Sequence, residues 1–460
     1  MPEQLAKLSA AEVTLRGRSP QTRPSLANRP RTARICRTSS PSSALQSVHE
    51  LQQQSSIHGL RLSHPQLNHN QSAYLYKFFL HKAAQVVSIW DEPSNPFLHV
   101  LVPVAMESDM VLHALLAFSG VVCLRNAAHA TVANAVWEQY AQAVRSLKHN
   151  LTLYSQGQSD LAILLLVSCL ILCALESCNA DTHEHAFLHL KAAQNLLIAA
   201  HDHCLNAALF SFAAEFYLYH VALLPSASPA TSSSNSRPSV ETYPQISDSL
   251  QLCCKMLTQN RSPLVGMLCG NAFSLFQWIP EVYETSTAIY DILVESALEG
   301  LPIDLSLKRL RLHSLIQSWA PDIKNDGNGK RCGLIYQLAL LSLLDMSPLH
   351  ERDTTEESDS YARQLILNLI ELLKTTPAES NHTTVLCWPL AVLGGYSDDP
   401  HHRSFIKCYL EQIAQKYKLG NMFQTIELLD LIWKSDKTSQ LGPRCLLDAM
   451  ETQGYRIMFT

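Results

Sequence analysis

The chain has 460 residues, 47% of them apolar and 16% charged, which is enough apolar material to bury a sizeable core. This composition excludes a protein that is disordered throughout, and a formal net charge of −5 argues against one that coats nucleic acid. The 13 cysteines include no C-x-x-C pair, which excludes a secreted disulfide framework and favours free thiols in the cytosol or nucleus.

Residues 1–65 are predicted to form a disordered basic tail rich in Ser, Pro and Arg. Its first fifty residues carry eight Lys or Arg against three Glu, a net charge of about +5. Three uses stay open: a passive linker, a nuclear import signal, or sequence-independent contact with phosphates. Base stacking is not supported, because the first aromatic residue is Tyr74. The Ser-Pro steps at Ser19, Ser40 and Ser228 are candidate phosphorylation sites.

From residue 71 onward apolar side chains recur at helical spacing and strand signals are nearly absent, so the sequence predicts an all-α fold. We expect a large irregular helical domain of roughly 14–16 helices over residues 66–460, with a flexible insertion at 225–244. Ser108 and Asp109 are expected to begin a buried helix, and Gly420 to end one. The other helices are predicted over 130–154, 161–175, 183–200, 206–224, 263–277, 282–298, 305–319, 332–344, 361–374, 385–393, 402–419, 422–434 and 443–453, and from 246.

One apolar run, residues 161–175, resembles a membrane span in composition. It lies between Asp160 and Glu176 and is shorter than the roughly 20 residues that cross a bilayer. A helix that is apolar on every side also suits the centre of a bundle. We therefore expect a soluble protein with no membrane partner.

Several segments, in the same order along the chain, resemble the regulatory domains of fungal transcription factors. The resemblance runs from about residue 70 to residue 455. It is carried by NPFLHVLVPVAMESDMVLHALLAFSGVVCL (95–124), AVWEQYAQAVRSLKHNL (135–151), LLLVSCLILCALE (164–176), HLKAAQNLL (189–197), LCGNAFSLFQWIPEVYE (268–284), WPLAVLGGY (388–396) and GNMFQTIELLDLIW (420–433). The resemblance implies a helical domain that follows a binuclear zinc cluster and regulates its activity, dimerises or senses effectors.

Two features depart from that family. Its Gly-Ala pair is Ala192–Ala193 here, a change that keeps the residues small. The binuclear cluster needs six cysteines that together bind two zinc ions. Between Met1 and Val122 the sequence has one cysteine, Cys36. The zinc cluster is therefore absent, and DNA is expected to be reached indirectly or through an N-terminal module encoded by a missing upstream exon.

A candidate metal set consists of Asp181, His183, His185 and His189. His185 and His189 are four residues apart and share a helix face, so they could ligate one ion. However, the segment lacks the internal Glu of an H-E-x-x-H site, and His189 falls on the family's own pattern. The sequence therefore favours core or capping histidines.

A second polar group, Asp398 and Asp399 with His401 and His402, resembles the acidic magnesium-binding motif of helical terpene synthases. Adjacent carboxylates before a proline do not converge on one ion, so a surface role is favoured. No P-loop, G-x-G-x-x-G or G-x-S-x-G motif occurs. We accordingly assign no catalytic, cofactor-binding or metal-binding residue, and no cofactor.

The sequence-based hypothesis is a non-enzymatic, nuclear transcription regulator of the fungal zinc-cluster type. It would act through contacts with other regulators or with itself, as a homo- or heterodimer, or by sensing a small-molecule effector between its helices. A metabolic or secondary-metabolite pathway is the expected target. Two alternatives stay open: an all-α enzyme with a dispersed active site, and a helical scaffold outside transcription.

Overall fold

The fold is known from a computed structural model that describes residues 64–460 except 91–93, 127–129, 182–183, 228–242, 260–264, 296–300, 322–326, 346–355, 435–443 and 455. Within these ranges every regular element is a helix and no strand occurs, which confirms the predicted all-α class. Residues 1–63 of the predicted tail, the candidate phosphorylation sites Ser19, Ser40 and Ser228, and His183 lie outside the described residues.

Among the described residues, the first half of the domain contains eight helices longer than one turn. A π-helical turn, Phe79–Ala83, extends the first of them to a short helix at Ala84–Val86. The eight are α1 (Asn70–Phe78), α2 (Val102–Glu107), α3 (Asp109–Asn126), α4 (Ala130–Ser155), α5 (Ala162–Cys178), α6 (His185–His203), α7 (Ala207–Ala222) and α8 (Tyr243–Gln259).

In the described part of the second half there are eight more, together with short 3₁₀ turns at Gly270–Ala272 and Asn381–Leu386 and a four-residue helix, Phe273–Phe276. They are α9 (Ile279–Glu295), α10 (Ile303–Gln317), α11 (Gly327–Asp345), α12 (Glu356–Thr375), α13 (Cys387–Tyr396), α14 (Pro400–Tyr417), α15 (Gly420–Lys434) and α16 (Cys445–Gln453).

Helices α3, α5 and α7 form the centre of the first half because they are apolar on every side. Helix α3 pairs with α4, and α5 packs along α6. By length and composition, three helical stretches could cross a membrane: Asp109–Asn126, Ser159–Cys178 and Ala207–Ser226. Between 78% and 89% of each is buried inside the fold, so packing against other helices accounts for their apolar character.

Helix α11 is the hub of the second half and contacts α9, α10, α12 and α13. A row of aromatic side chains passes through α11 at Tyr336. The rings of Trp388 and Tyr336 are stacked with their centroids 5.5 Å apart, and the centroid of Tyr336 lies 5.0 Å from that of Phe276. Phe276 in turn lies 5.7 Å from Tyr219 of α7. The row therefore joins the C-terminal helices to the central helices of the first half.

Gly420 has a different role from the predicted one. The helix α14 ends at Tyr417 and is followed by Lys418, whose φ of 57° is left-handed, while Gly420 begins α15. A Cβ atom at Gly420 would lie 2.6 Å from both the Cys178 carbonyl oxygen and the Ala180 nitrogen. Glycine is thus required because the start of α15 touches the end of α5.

Two further predicted segments differ in detail. Residues 263–277 were expected to be one helix, but 265–269 form turns before the short helices at Gly270–Ala272 and Phe273–Phe276. The first two residues of the predicted insertion belong to a buried 3₁₀ turn, Leu224–Ser226, that continues from α7. Most of the remaining insertion lies outside the described residues.

Candidate functional site

A cleft opens between α5, α7 and segments from the second half of the chain. Its cavity volume is about 40 Å³, which is room for only a few non-hydrogen atoms while the walls stand as they do. Helix α5 contributes Ala174, Ser177 and Cys178 to one wall. These positions are spaced i, i+3 and i+4, so they share one face of the helix.

Helix α7 supplies the opposite wall at the same spacing, through Phe216, Tyr219 and His220. Val87, after the first helices, also lines the cleft and is only half-buried. Thr460 lines it as well. The surface is mainly apolar with a few polar groups among them, the composition that suits a small, largely apolar ligand.

His220 supplies an imidazole to this wall, and it is 2% exposed. Its Nδ1–H donates to the Phe216 carbonyl oxygen at 2.9 Å. Burial lowers the pKa of His220 to about 4, so the ring is neutral at pH 7. A neutral imidazole adds a polar group to the cleft without adding charge.

The lowered pKa predicts how His220 affects stability. The unfolded chain binds a proton near pH 6.5 and the folded chain only near pH 4, so this group's contribution is lost as pH falls from 6.5 to 4. We expect His220→Gln to reduce the slope of unfolding free energy against pH by about 1 kcal/mol per pH unit near pH 5. Urea titrations at several pH values measure that slope. The exposed His401→Gln is the control, and equal slopes in wild type and His220→Gln would contradict the prediction.

Next to the cleft, Glu215 of α7 is completely buried. Its carboxylate accepts hydrogen bonds from the backbone N–H groups of Gly266 at 2.7 Å, Leu268 at 2.8 Å and Cys269 at 3.2 Å. Burial raises the pKa of Glu215 to about 7, although these hydrogen bonds favour the ionised form. Because Leu268 lines the cleft, Glu215 fixes a part of its wall.

A second polar group, the α5–α6 cluster, consists of Glu176, Asp181 and His185. One side-chain oxygen or nitrogen from each lies within 4.8 Å of the others. Asp181 Oδ1 is 3.4 Å from His185 Nδ1, and the Tyr140 hydroxyl donates to Glu176 Oε1 at 2.6 Å. The cluster therefore ties the end of α5 to the start of α6.

The local backbone explains why these residues meet. Ala180 follows α5 and Glu184 precedes α6, and both have left-handed backbones, with φ values of 61° and 65°. The Asp181 N–H donates to the Glu176 carbonyl oxygen at 3.0 Å, which returns Asp181 to the end of the helix. Asp181 Oδ2 then accepts from the Ala186 N–H at 3.2 Å and caps the first turn of α6.

The remaining histidine of the predicted metal set, His189, lies in the core of the domain at 2% exposure. Burial lowers its pKa to about 4, with a further contribution from His185. Its Nδ1 has no hydrogen-bond partner among the described residues. The predicted core position of His189 is confirmed, and the structure adds Glu176 to the group.

The second predicted polar group has a structural role. Asp399 caps α14, and its Oδ1 accepts from the N–H groups of His401 at 2.6 Å and His402 at 3.2 Å. These hydrogen bonds lower the pKa of Asp399. Asp398 and His401 are exposed, in agreement with the predicted surface role.

The sequence did not single out Glu215 or His220, and it noted Glu176 only as the end of a family-like helix. A signal was present for the first two, since each is an isolated titratable residue within the apolar run of α7, FAAEFYLYH. A polar group at such a position is buried and must find a partner. The partner of His220 is local, the Phe216 carbonyl oxygen, but the sequence does not contain the identity of the partners of Glu215, which come from a segment about fifty residues away.

The chain was also compared with known proteins. The fungal specific transcription factor domain matches residues 74–460, which is most of the chain and nearly all of the described structure. No curated protein and no solved structure matches it. The match covers the segments that carry the predicted resemblance after residue 74, and with them the cleft and the α5–α6 cluster. The chain belongs to the fungal specific transcription factor domain family, and its role is the regulation of transcription.

Proposed function

We propose that this domain senses a small, largely apolar effector in the cleft between α5 and α7 and transmits its presence to transcription. The observation that carries the proposal is the cleft itself, whose mainly apolar walls with a few polar groups suit such a ligand once the walls move apart to admit it. The domain acts in the nucleus through other regulators or a second copy of itself, on genes of a metabolic pathway. DNA is reached through those partners or through a zinc-cluster module outside this sequence. The proposal gives the chain no catalytic step.

The walls of the cleft suggest how an effector would act at a distance. The end of α5 touches the start of α15 at Gly420, and the Leu268 turn is held by Glu215. Tyr219 begins the aromatic row that leads to Trp388. An effector that binds one arrangement of these walls better than another shifts the population of that arrangement in both halves of the domain.

A reporter assay tests the proposal when the full chain is fused to a heterologous DNA-binding module. The variant is Val87→Phe, which fills the cleft from a half-buried position at low cost to the core. We expect it to change reporter transcription several-fold, because the effector is excluded. Val132→Phe is the matched control, since Val132 is also half-buried but lies on α4 outside the cleft lining.

Equal reporter output from wild type, Val87→Phe and Val132→Phe would contradict effector sensing at this cleft. Circular dichroism and the melting temperature of both variants establish that the comparison is between folded proteins. The proposal requires that the two variants differ in transcription while they agree in fold.

A further inference from the structure

Helix α10 exposes several large apolar side chains along one side. Ile303, Leu307 and Leu310 are 77%, 59% and 61% exposed, and no other helix among the described residues carries more than two exposed large apolar side chains. The three are spaced four and three residues apart, the spacing of the seam between two paired helices, and Ser314 continues it. We call these four positions the α10 stripe. Exposed apolar groups of this kind mark interaction sites.

The α10 stripe does not attach the helix to the rest of the domain. Leu312 follows Ile303 by nine residues, about two and a half turns, so it lies on the opposite face. Leu312 and Ile316 have no exposed surface, and α10 packs on α9 and α11. Arg309 also donates to Asp345 at the end of α11, at 3.0 Å. The helix is therefore already anchored, and the stripe is a second apolar face.

Two charged side chains flank the stripe on one side. Asp304 is exposed, and Arg311, which is 60% exposed, follows it by seven residues, about two turns. The guanidinium carbon of Arg311 lies 6.0 Å from the centre of the Trp278 ring, and its Nη1 is 3.5 Å from Glu281 Oε1. These contacts hold the guanidinium beside the stripe, and its five N–H donors are enough to bind a second carboxylate.

We propose that the α10 stripe binds the same stripe of a second copy of this chain, with the two helices antiparallel across a two-fold axis. In such a pair Leu307 of each copy packs against Leu310 of the other, because the two seam positions alternate in antiparallel helices. Ile303 of each copy packs beside Ser314 of the other. Every contact occurs twice, as in other two-fold interfaces.

The flanking charges are the reason to assign the stripe to a second copy. In the antiparallel register Asp304 of each copy lies opposite Arg311 of the other, which gives two ion pairs by symmetry. A parallel pair would place Arg311 opposite Ser306 and form no ion pair. The surface is thus complementary to itself in one orientation, and charge complementarity of this kind sets the orientation of a complex.

The size of the interface sets the expected affinity. One helix from each copy forms an interface at the low end of specific ones, about 1,200 Å² or less, so we expect dissociation in the micromolar range. The inference deepens the proposed function, on which it rests for the role of a second copy in transcription. Association is measured without effector or promoter, so a negative result leaves the effector test at Val87 as it stands.

Sedimentation velocity of the purified full chain over a wide range of concentration tests the proposal. We expect a reversible dimer in the wild type. Leu307→Glu places two carboxylates in the apolar seam and should weaken the dimer at least tenfold. Ile198→Glu is the matched control, since Ile198 is 60% exposed on α6, and it should associate as the wild type does. Circular dichroism establishes that both variants are folded.

A charge exchange tests the register. Asp304→Arg alone sets arginine against arginine, and Arg311→Asp alone sets aspartate against aspartate, so each variant should be mainly monomeric. An equal mixture of the two restores both ion pairs within a mixed dimer and should associate as the wild type does. Only the antiparallel pair predicts this rescue, because it alone brings positions 304 and 311 together.

A wild-type chain that stays monomeric at every concentration would overturn the proposal. Protection of α10 from hydrogen exchange in that monomer would assign the stripe to another segment of the same chain. A change in reporter output by Leu307→Glu in that monomer would assign it to a different protein. Association that Leu307→Glu and Ile198→Glu weaken equally, or that the mixture of charge variants does not restore, would also overturn the antiparallel pair.

Discussion

Replacement of Glu215 with alanine is expected to lower the free energy of unfolding by about 5 kcal/mol. The carboxylate is completely buried and accepts from three backbone N–H groups. Alanine would leave those groups unpaired in the interior and create a cavity, and each unpaired buried donor costs about 1–3 kcal/mol. Chemical denaturation of the full chain at pH 8 measures the change.

Glu215→Gln separates charge from shape. One oxygen remains to accept from Leu268 and Cys269, but an amide NH₂ group can face the Gly266 N–H, so we expect a loss of about 2 kcal/mol. Burial raises the folded-state pKa to about 7, so the wild type loses stability as pH rises from 4.5 to 7 and its advantage over Glu215→Gln decreases. Glu411→Ala, at an exposed position, is the control. A loss below 1 kcal/mol in Glu215→Ala would contradict the assigned role.

Trp388→Ala is expected to have an effect of similar size, about 4 kcal/mol. Trp388 has no exposed surface, and its ring lies on Tyr336 and 6.3 Å from Tyr283. Alanine would leave a large cavity where α13 meets α9 and α11. Trp388→Phe keeps an aromatic ring at that position, so it should lose less than half as much.

The same variant tests the aromatic row between the two halves of the domain. Loss of Trp388 removes the support of Tyr336, which contacts Phe276 and through it the cleft residue Tyr219. We therefore expect Trp388→Ala to increase hydrogen exchange in α7 as well as in α13. The completely exposed Leu205→Ala is the control. Exchange that increases only around α13 would show that the halves are not coupled through this row.

The sequence was sufficient for the helical class because long apolar runs, such as that of α5, can be buried only in the centre of a bundle. It also identified Asn206 correctly as the approximate start of α7, where its side chain accepts from the Leu209 N–H. These features are local, since a helix and its cap depend on residues a few positions apart.

The parts that sequence reasoning missed depend on distant segments. From its position in the sequence, Gly420 is predicted to end a helix. In the structure it is instead the residue that Cys178 and Ala180 contact. Glu215 gains its partners from the 265–269 turn. The composition of residues 263–277 predicts a helix, because it does not show that N–H groups in this segment bind a distant carboxylate instead of continuing a helix. Similarly, Glu176 joins Asp181 and His185 only through the left-handed residues of the α5–α6 connection.

The regulation of transcription by this domain, and its proposed place in the nucleus, are tested most directly by one measurement on the full chain. Promoter occupancy of a tagged protein is mapped and compared with transcript levels after deletion of its gene. The account predicts a nuclear protein that occupies a defined set of promoters, whose transcripts change several-fold in the deletion strain. A cytosolic protein, with no promoter occupancy and unchanged transcripts on deletion, would contradict it.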